Sequence, residues 1–153
     1  VSDNATIAVM LPAVFFLVAI GLAFATGTSW GTFGILIPIV LAIVANDNNL
    51  MVMTVAAVLA GAVGGDHVSP ISDTTVLASI GASCDHVDHF ETQMPYAVTV
   101  AAICAVMFVL AGMDTSPIML AVAAVILTAV VFVLHKLSVK KYGQEKTPGN
   151  VTE

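Results

Sequence analysis

Long apolar runs broken by short polar stretches organise this chain. Ala5 to Ala25 is apolar apart from Thr6, and the pattern resumes over Ile35 to Ala45, Leu50 to Val63, Thr74 to Ala82, Pro95 to Gly112 and Pro117 to Leu134. A helix needs about 20 apolar residues to cross a bilayer. The first run and the last two meet that length, so the pattern predicts an all-α, polytopic membrane protein. Pro12 predicts a kink in the first helix, and Pro95 and Pro117 stand where a missing N–H costs little, near the starts of their spans.

The interruptions carry more information than the runs. Gly64 to Thr75 holds Asp66, His67, Ser69, Pro70, Ser72, Asp73, Thr74 and Thr75 between two apolar segments, neither of which is long enough to span alone. A straight helix over both segments would measure about 50 Å at ~1.5 Å per residue. One crossing, unwound near its middle, reconciles those lengths and predicts a discontinuous transmembrane helix. Thr26 to Gly34 is a second interruption, with three glycines and four hydroxyls. It predicts the tip of a re-entrant helical hairpin, the alternative being a loop between full spans. Discontinuous helices around a midplane site recur in transporters.

Asn46 to Asn49 predicts an aqueous turn, Cys84 to Gln93 a polar, acidic loop, and Met113 to Ser116 a short turn. Composition agrees with the membrane assignment: 59% of residues are hydrophobic, 9% are charged, and the mean hydropathy is +1.03. The net charge of −6 is unevenly placed. There is no arginine, and Lys136, Lys140, Lys141 and Lys146 all follow the last apolar run. Residues 1–135 therefore read as a transmembrane domain and 136–153 as a cytoplasmic tail, in a multi-pass protein of the cell (inner) membrane. No basic surface is present to hold nucleic acid. Counting back from the tail puts the Cys84 to Gln93 loop inside and the Asn46 to Asn49 turn outside, with the hairpin tip entering from outside. Cys84 and Cys104 show neither a disulfide framework nor a redox spacing. The opening Val1-Ser2-Asp3-Asn4, without methionine or a basic segment, leads us to expect part of a longer chain rather than a secretory signal.

Charges and unwound backbone are expensive in hydrocarbon and survive where they are buried in protein or line a cavity. Two unwound segments meeting inside the membrane would gather carbonyls, hydroxyls and carboxylates, the oxygen ligands that hard cations such as Na+ prefer. Asp66, Asp73, Ser69, Ser72, Thr74, Thr28 and Ser29 are the donors, with Asp66 and Asp73 as Na+ ligands and His67 as a candidate for proton movement. Desolvation favours a neutral carboxyl and a bound cation favours a carboxylate. One aspartate able to hold either a proton or Na+, but not both, supports antiport by competition, with no cofactor beyond the transported ions.

Blander roles stand beside these. Ser72 and Asp73 suit capping of the following half-helix, and Thr28 and Ser29 suit capping of the helix after Trp30. Gly27-Thr28-Ser29-Trp30-Gly31 matches the G-x-S-x-G nucleophile elbow, which leaves an intramembrane serine hydrolase using Ser29 and His67 as a reading of another class. Cys84-Asp85-His86-Val87-Asp88-His89 contains zinc-type ligands, against a solvated loop as the plainer assignment.

Ala25-Thr26-Gly27-Thr28-Ser29-Trp30-Gly31-Thr32, running on to Ile37-Pro38, and Gly65-Asp66-His67-Val68-Ser69-Pro70-Ile71-Ser72-Asp73-Thr74-Thr75 resemble the NhaC family of sodium/proton antiporters. The second string is the more specific, and the resemblance extends from about Leu11 to Pro95. It implies Na+ and H+ exchange in a lipid bilayer by a transporter of two inverted repeats, of which this chain holds the carboxyl-terminal one. It also implies an amino-terminal repeat as partner, with ion binding at Asp66, Ser69, Ser72, Asp73 and Thr74 and at the hairpin-tip residues Thr28 and Ser29. Some relatives exchange organic anions of the malate/lactate type, or amino acids, with Na+ and H+. No arginine is present to clamp a carboxylate, but backbone amides at the helix starts near Ser29 and Thr74 remain available.

Overall fold

The computed structural model describes residues 2–113 and 117–142. The predicted turn at Met113 to Ser116 lies largely outside these residues, as do 143–153 of the predicted tail. Among the described residues six helices follow one another: α1 (Ser2–Thr26), α2 (Ser29–Ile43), α3 (Asn48–His67), α4 (Asp73–Ala82), α5 (His86–Met113) and α6 (Pro117–Tyr142). The stretches Ile7–Thr26, Asn48–His67 and His86–Met113 are long and apolar enough to cross a membrane.

α1 and α3 form the central pair. Ala19 and Ala23 on α1 and Ala57, Val58 and Ala62 on α3 are fully buried, and Leu36, Val40 and Val44 close the core from the α2 side. Small residues let helix backbones approach closely, which is how helices associate where lipid removes the hydrophobic drive. A Cβ on Gly65 would collide with the Ile20 carbonyl oxygen of α1, so glycine is required at this crossing. α5 covers α1, α3 and α4, stacking Phe108 on Phe16 with ring centroids 5.1 Å apart. α6 packs on α5.

Three boundaries depart from the pattern-based expectation. α3 does not stop at Val63 but continues through Gly64, Gly65, Asp66 and His67, giving 20 residues that suffice for a crossing alone. The unwound stretch is therefore only Val68 to Ser72, and it follows a helix long enough to cross by itself. Glycine weakens a helix by roughly 1 kcal/mol relative to alanine, but the close contact of Gly65 with α1 rewards helical geometry there. The first interruption likewise shrinks from nine residues to Gly27 and Thr28, with α2 already helical from Ser29. The acidic stretch expected as a loop is mostly helix: Asp85 accepts from the N–H groups of Val87 (2.8 Å) and Asp88 (3.3 Å) and so starts α5 at His86. Pro95 consequently sits inside α5.

The Asn46 to Asn49 turn is exposed, as expected, and Asp47 caps α3 by accepting from Asn49 N (3.1 Å) and Leu50 N (3.0 Å).

Candidate functional site

Asp66 lies on the last turn of α3 and is only 3% exposed. A buried carboxylate without partners is strongly disfavoured, and the start of α4 supplies them. Ser72 Oγ donates to Asp66 Oδ1 at 2.7 Å, and Thr74 Oγ1 donates to Asp66 Oδ2 at 3.4 Å. The two hydroxyls are themselves 2.7 Å apart. Ser72 also accepts from Thr74 N at 3.2 Å, so it caps α4 and binds Asp66 at once. Helix cap and partner of the buried carboxylate are thus one residue. The partial positive charge at the amino end of α4 faces the carboxylate.

Ser69, fully buried in the break, donates to the Phe24 carbonyl near the end of α1 at 2.8 Å. Helix ends leave their last carbonyls unpaired, and Ser69 satisfies one of them while tying the break to α1. Gly27 adopts φ +66° and packs against Ile71 so tightly that a Cβ there would lie 2.8 Å from the Ile71 carbonyl oxygen. The two interruptions therefore meet, backbone to backbone.

Other expected site residues stand apart from the hydroxyl–carboxylate cluster. Asp73 is exposed in the first turn of α4, where an acid suits the helix dipole, and it makes no hydrogen bond to Asp66, Ser72 or Thr74. His67 is exposed and its Nδ1 lies 2.9 Å from the Val63 carbonyl of its own helix. Thr28 occupies the N-cap position of α2 without a side-chain capping bond, and its carbonyl accepts from Thr32 Oγ1 at 3.0 Å. Ser29 begins α2, half-buried. The hydrolase reading fails on this geometry: the Gly27–Thr28 joint connects helix to helix where the elbow needs a strand. His67 is bonded within α3, not to Ser29.

The zinc reading fails as well. Among the described residues no three His, Cys, Asp or Glu side chains gather around a metal position. Asp85 is used as a helix cap. His86 Nε2 instead donates to the Pro70 carbonyl at 2.7 Å, since a carbonyl can only accept, and Nδ1 lies 3.2 Å from Ser79 Oγ. Gln93 Nε2 donates to the His67 carbonyl at 2.8 Å. These two contacts to the break are absent from the sequence-based site. Their one local sign is a spacing of seven, which places both residues on one face of a helix.

A family model described as the Na+/H+ antiporter family matches residues 1–113. An uncharacterised protein of Haemophilus influenzae is 47% identical over 128 residues, covering 82% of this chain and 25% of that protein. A malate-2H(+)/Na(+)-lactate antiporter of Bacillus subtilis is 36% identical over 88 residues, covering 58% of this chain and 19% of the relative. The arginine/ornithine antiporter ArcD of Halobacterium salinarum is 35% identical over 111 residues, covering 68% and 22% respectively. This chain spans a quarter or less of the length of each of these relatives. No solved structure matches the chain. With the family match covering all of α1 to α5 and the cluster at Asp66 within it, the chain belongs to the Na+/H+ antiporter family.

Proposed function

We propose that this chain forms one repeat of a secondary transporter that exchanges Na+ for H+, with Asp66 as the group that both ions compete for. The observation that carries this reading is the buried Asp66 carboxylate held by the Ser72 and Thr74 hydroxyls. That oxygen cluster is satisfied in either protonation state without moving a heavy atom. With Asp66 ionised, Ser72 donates to it and Thr74 donates to Ser72 or to the second carboxylate oxygen. With Asp66 protonated, its O–H donates to Ser72 Oγ, Ser72 donates to Thr74 Oγ1, and Thr74 donates to Oδ2. Hydroxyls rotate freely enough to serve as donor or acceptor. A Na+ ion would take the lone pairs of the same oxygens, with Ser69 and the carbonyls of the break nearby, so proton and Na+ exclude each other.

In this reading α1 and α2 form the hairpin, with its tip at Thr28 and Ser29. α3 and α4 form the discontinuous helix, with Asp73 as dipole partner of α4 or second ligand and His67 beside the proton route. An amino-terminal repeat completes the site. The lysines that follow the last apolar run support a cytoplasmic carboxyl terminus. Residues 1–135 serve as the transport domain and 136–153 as the tail.

The test is Na+-dependent proton flux in inverted vesicles carrying the full-length transporter. Asp66→Asn is expected to abolish it, and parental flux in that variant would overturn the assignment. The names of the Bacillus and Halobacterium relatives favour a second reading, in which an organic anion or amino acid travels in exchange with the ions. Counterflow of malate against lactate, and of arginine against ornithine, in Na+-loaded proteoliposomes separates the two.

A further inference from the structure

The Val68 to Ser72 break has few backbone tethers of its own. Val68 N donates to Gly64 O (3.3 Å), Ser69 N to Asp66 O (3.1 Å) and Ser72 N to Ser69 O (3.3 Å), all within the segment and the turn before it. Pro70 adds no N–H. The break is fixed from three sides: Ser69 is fastened to Phe24 of α1, α4 is tied back through Val76 N to Ser72 O (3.0 Å) and Thr75 Oγ1 to His67 O (3.5 Å), and α5 reaches the Pro70 and His67 carbonyls.

From these contacts we propose that His86 and Gln93 are positioning residues, which hold the Pro70 and His67 carbonyls and so keep the break in the shape that aims the Ser72 hydroxyl at Asp66. The two residues are separated by two helical turns, roughly 10 Å along α5. His86 meets Pro70, later in the break, and Gln93 meets His67, earlier in the chain. The first turns of α5 therefore run antiparallel to the break and hold one carbonyl just before it and one at its middle. Ser79 of α4 lies against the same imidazole, its hydroxyl oxygen 3.2 Å from Nδ1. One imidazole thus joins α5, the break and α4. Neither side chain hydrogen-bonds to Asp66, Ser72 or Thr74. Both act through the backbone that carries Ser72.

The kinetic consequence rests on the reading of Asp66 as the ion ligand, whereas the brace itself does not. In the full-length transporter, His86→Leu and Gln93→Leu are each expected to raise the KM for Na+ about tenfold while Vmax stays within about twofold, a tenfold change matching the loss of one hydrogen bond. His86→Gln places an amide N–H where Nε2 stood and is expected to recover KM to within about threefold. Hydrogen exchange supplies a readout independent of transport: the amides of Val68, Ser69 and Ser72 are expected to exchange about tenfold faster in His86→Leu.

Parental KM and parental exchange in His86→Leu would overturn the proposal, as would a His86→Gln variant as impaired as His86→Leu. If His86→Leu fails to accumulate in the membrane, Gln93→Leu decides by the same two measurements, and unchanged values refute the brace. Faster exchange in His86→Leu combined with normal flux in Asp66→Asn would keep the brace and discard the ion assignment.

Discussion

Ser72 and Asp66, six residues apart in sequence, lie on opposite sides of a helix break and are joined by a 2.7 Å hydrogen bond in a buried setting. The bond closes the break on itself: the residue that starts α4 also satisfies the acid that ends α3. Ser72→Ala removes a cap and the shorter of the two hydroxyl bonds to a buried carboxylate. Loss of a cap costs about 1 kcal/mol, and an under-satisfied buried acceptor a further 1–3 kcal/mol. The expected outcome is a fall in thermal stability together with a loss of Na+ affinity. A double-mutant cycle with Asp66→Asn measures the shared part, which should be well above the few tenths of a kcal/mol seen for independent sites.

Two adjacent glycines of α3 separate packing from propensity. Gly65→Ala drives a methyl into the Ile20 carbonyl and is expected to destabilise by about 1–3 kcal/mol. Gly64→Ala meets no atom within 4 Å and should be neutral or stabilising by up to about 1 kcal/mol, as glycine is a poor helix former. Thermal unfolding of both variants in detergent checks the contrast, and equal effects would contradict the close α1–α3 crossing.

Gly27 is constrained both by its own backbone and by its neighbour. Gly27→Ala places a Cβ at φ +66° and against the Ile71 backbone, a combination expected to cost about 1–3 kcal/mol and to push the two breaks apart. Gly34→Ala, with nothing within 4 Å, is its control. The expected readout is a rise in the KM for Na+ in the first variant only, measured by Na+-dependent proton flux.

The two acids of the motif should differ sharply. Asp66 is buried in a hydroxyl cluster, while Asp73 is exposed at the first turn of α4. Asp66→Asn is expected to reduce flux at least tenfold more than Asp73→Asn, whose structural cost is the loss of a favourable helix-dipole contact of about 0.3–1 kcal/mol. Comparable losses in the two variants would return Asp73 to the ion site.

The helical membrane class, the two interruptions and the identity of the acid-rich segment follow from sequence alone, because apolar runs and the expense of polar groups in lipid are properties of local composition. The capping role of Ser72 was legible for the same reason: the residue and the helix start it serves are adjacent in the chain. Tertiary structure decided where the helix actually ends. Gly64 and Gly65 look like breakers by local preference, but contact with the α1 backbone pays for a helix that runs on to His67. It also sorted Asp66 from Asp73, two carboxylates of equal standing in the motif, by placing one under the hydroxyls and the other outside. The grip of His86 and Gln93 on the break joins positions 16 and 26 residues apart, and no periodicity in a single chain encodes which carbonyl a distant side chain will find. Only the packing of α5 across α3 and α4 brings those donors to the carbonyls that the break has set free.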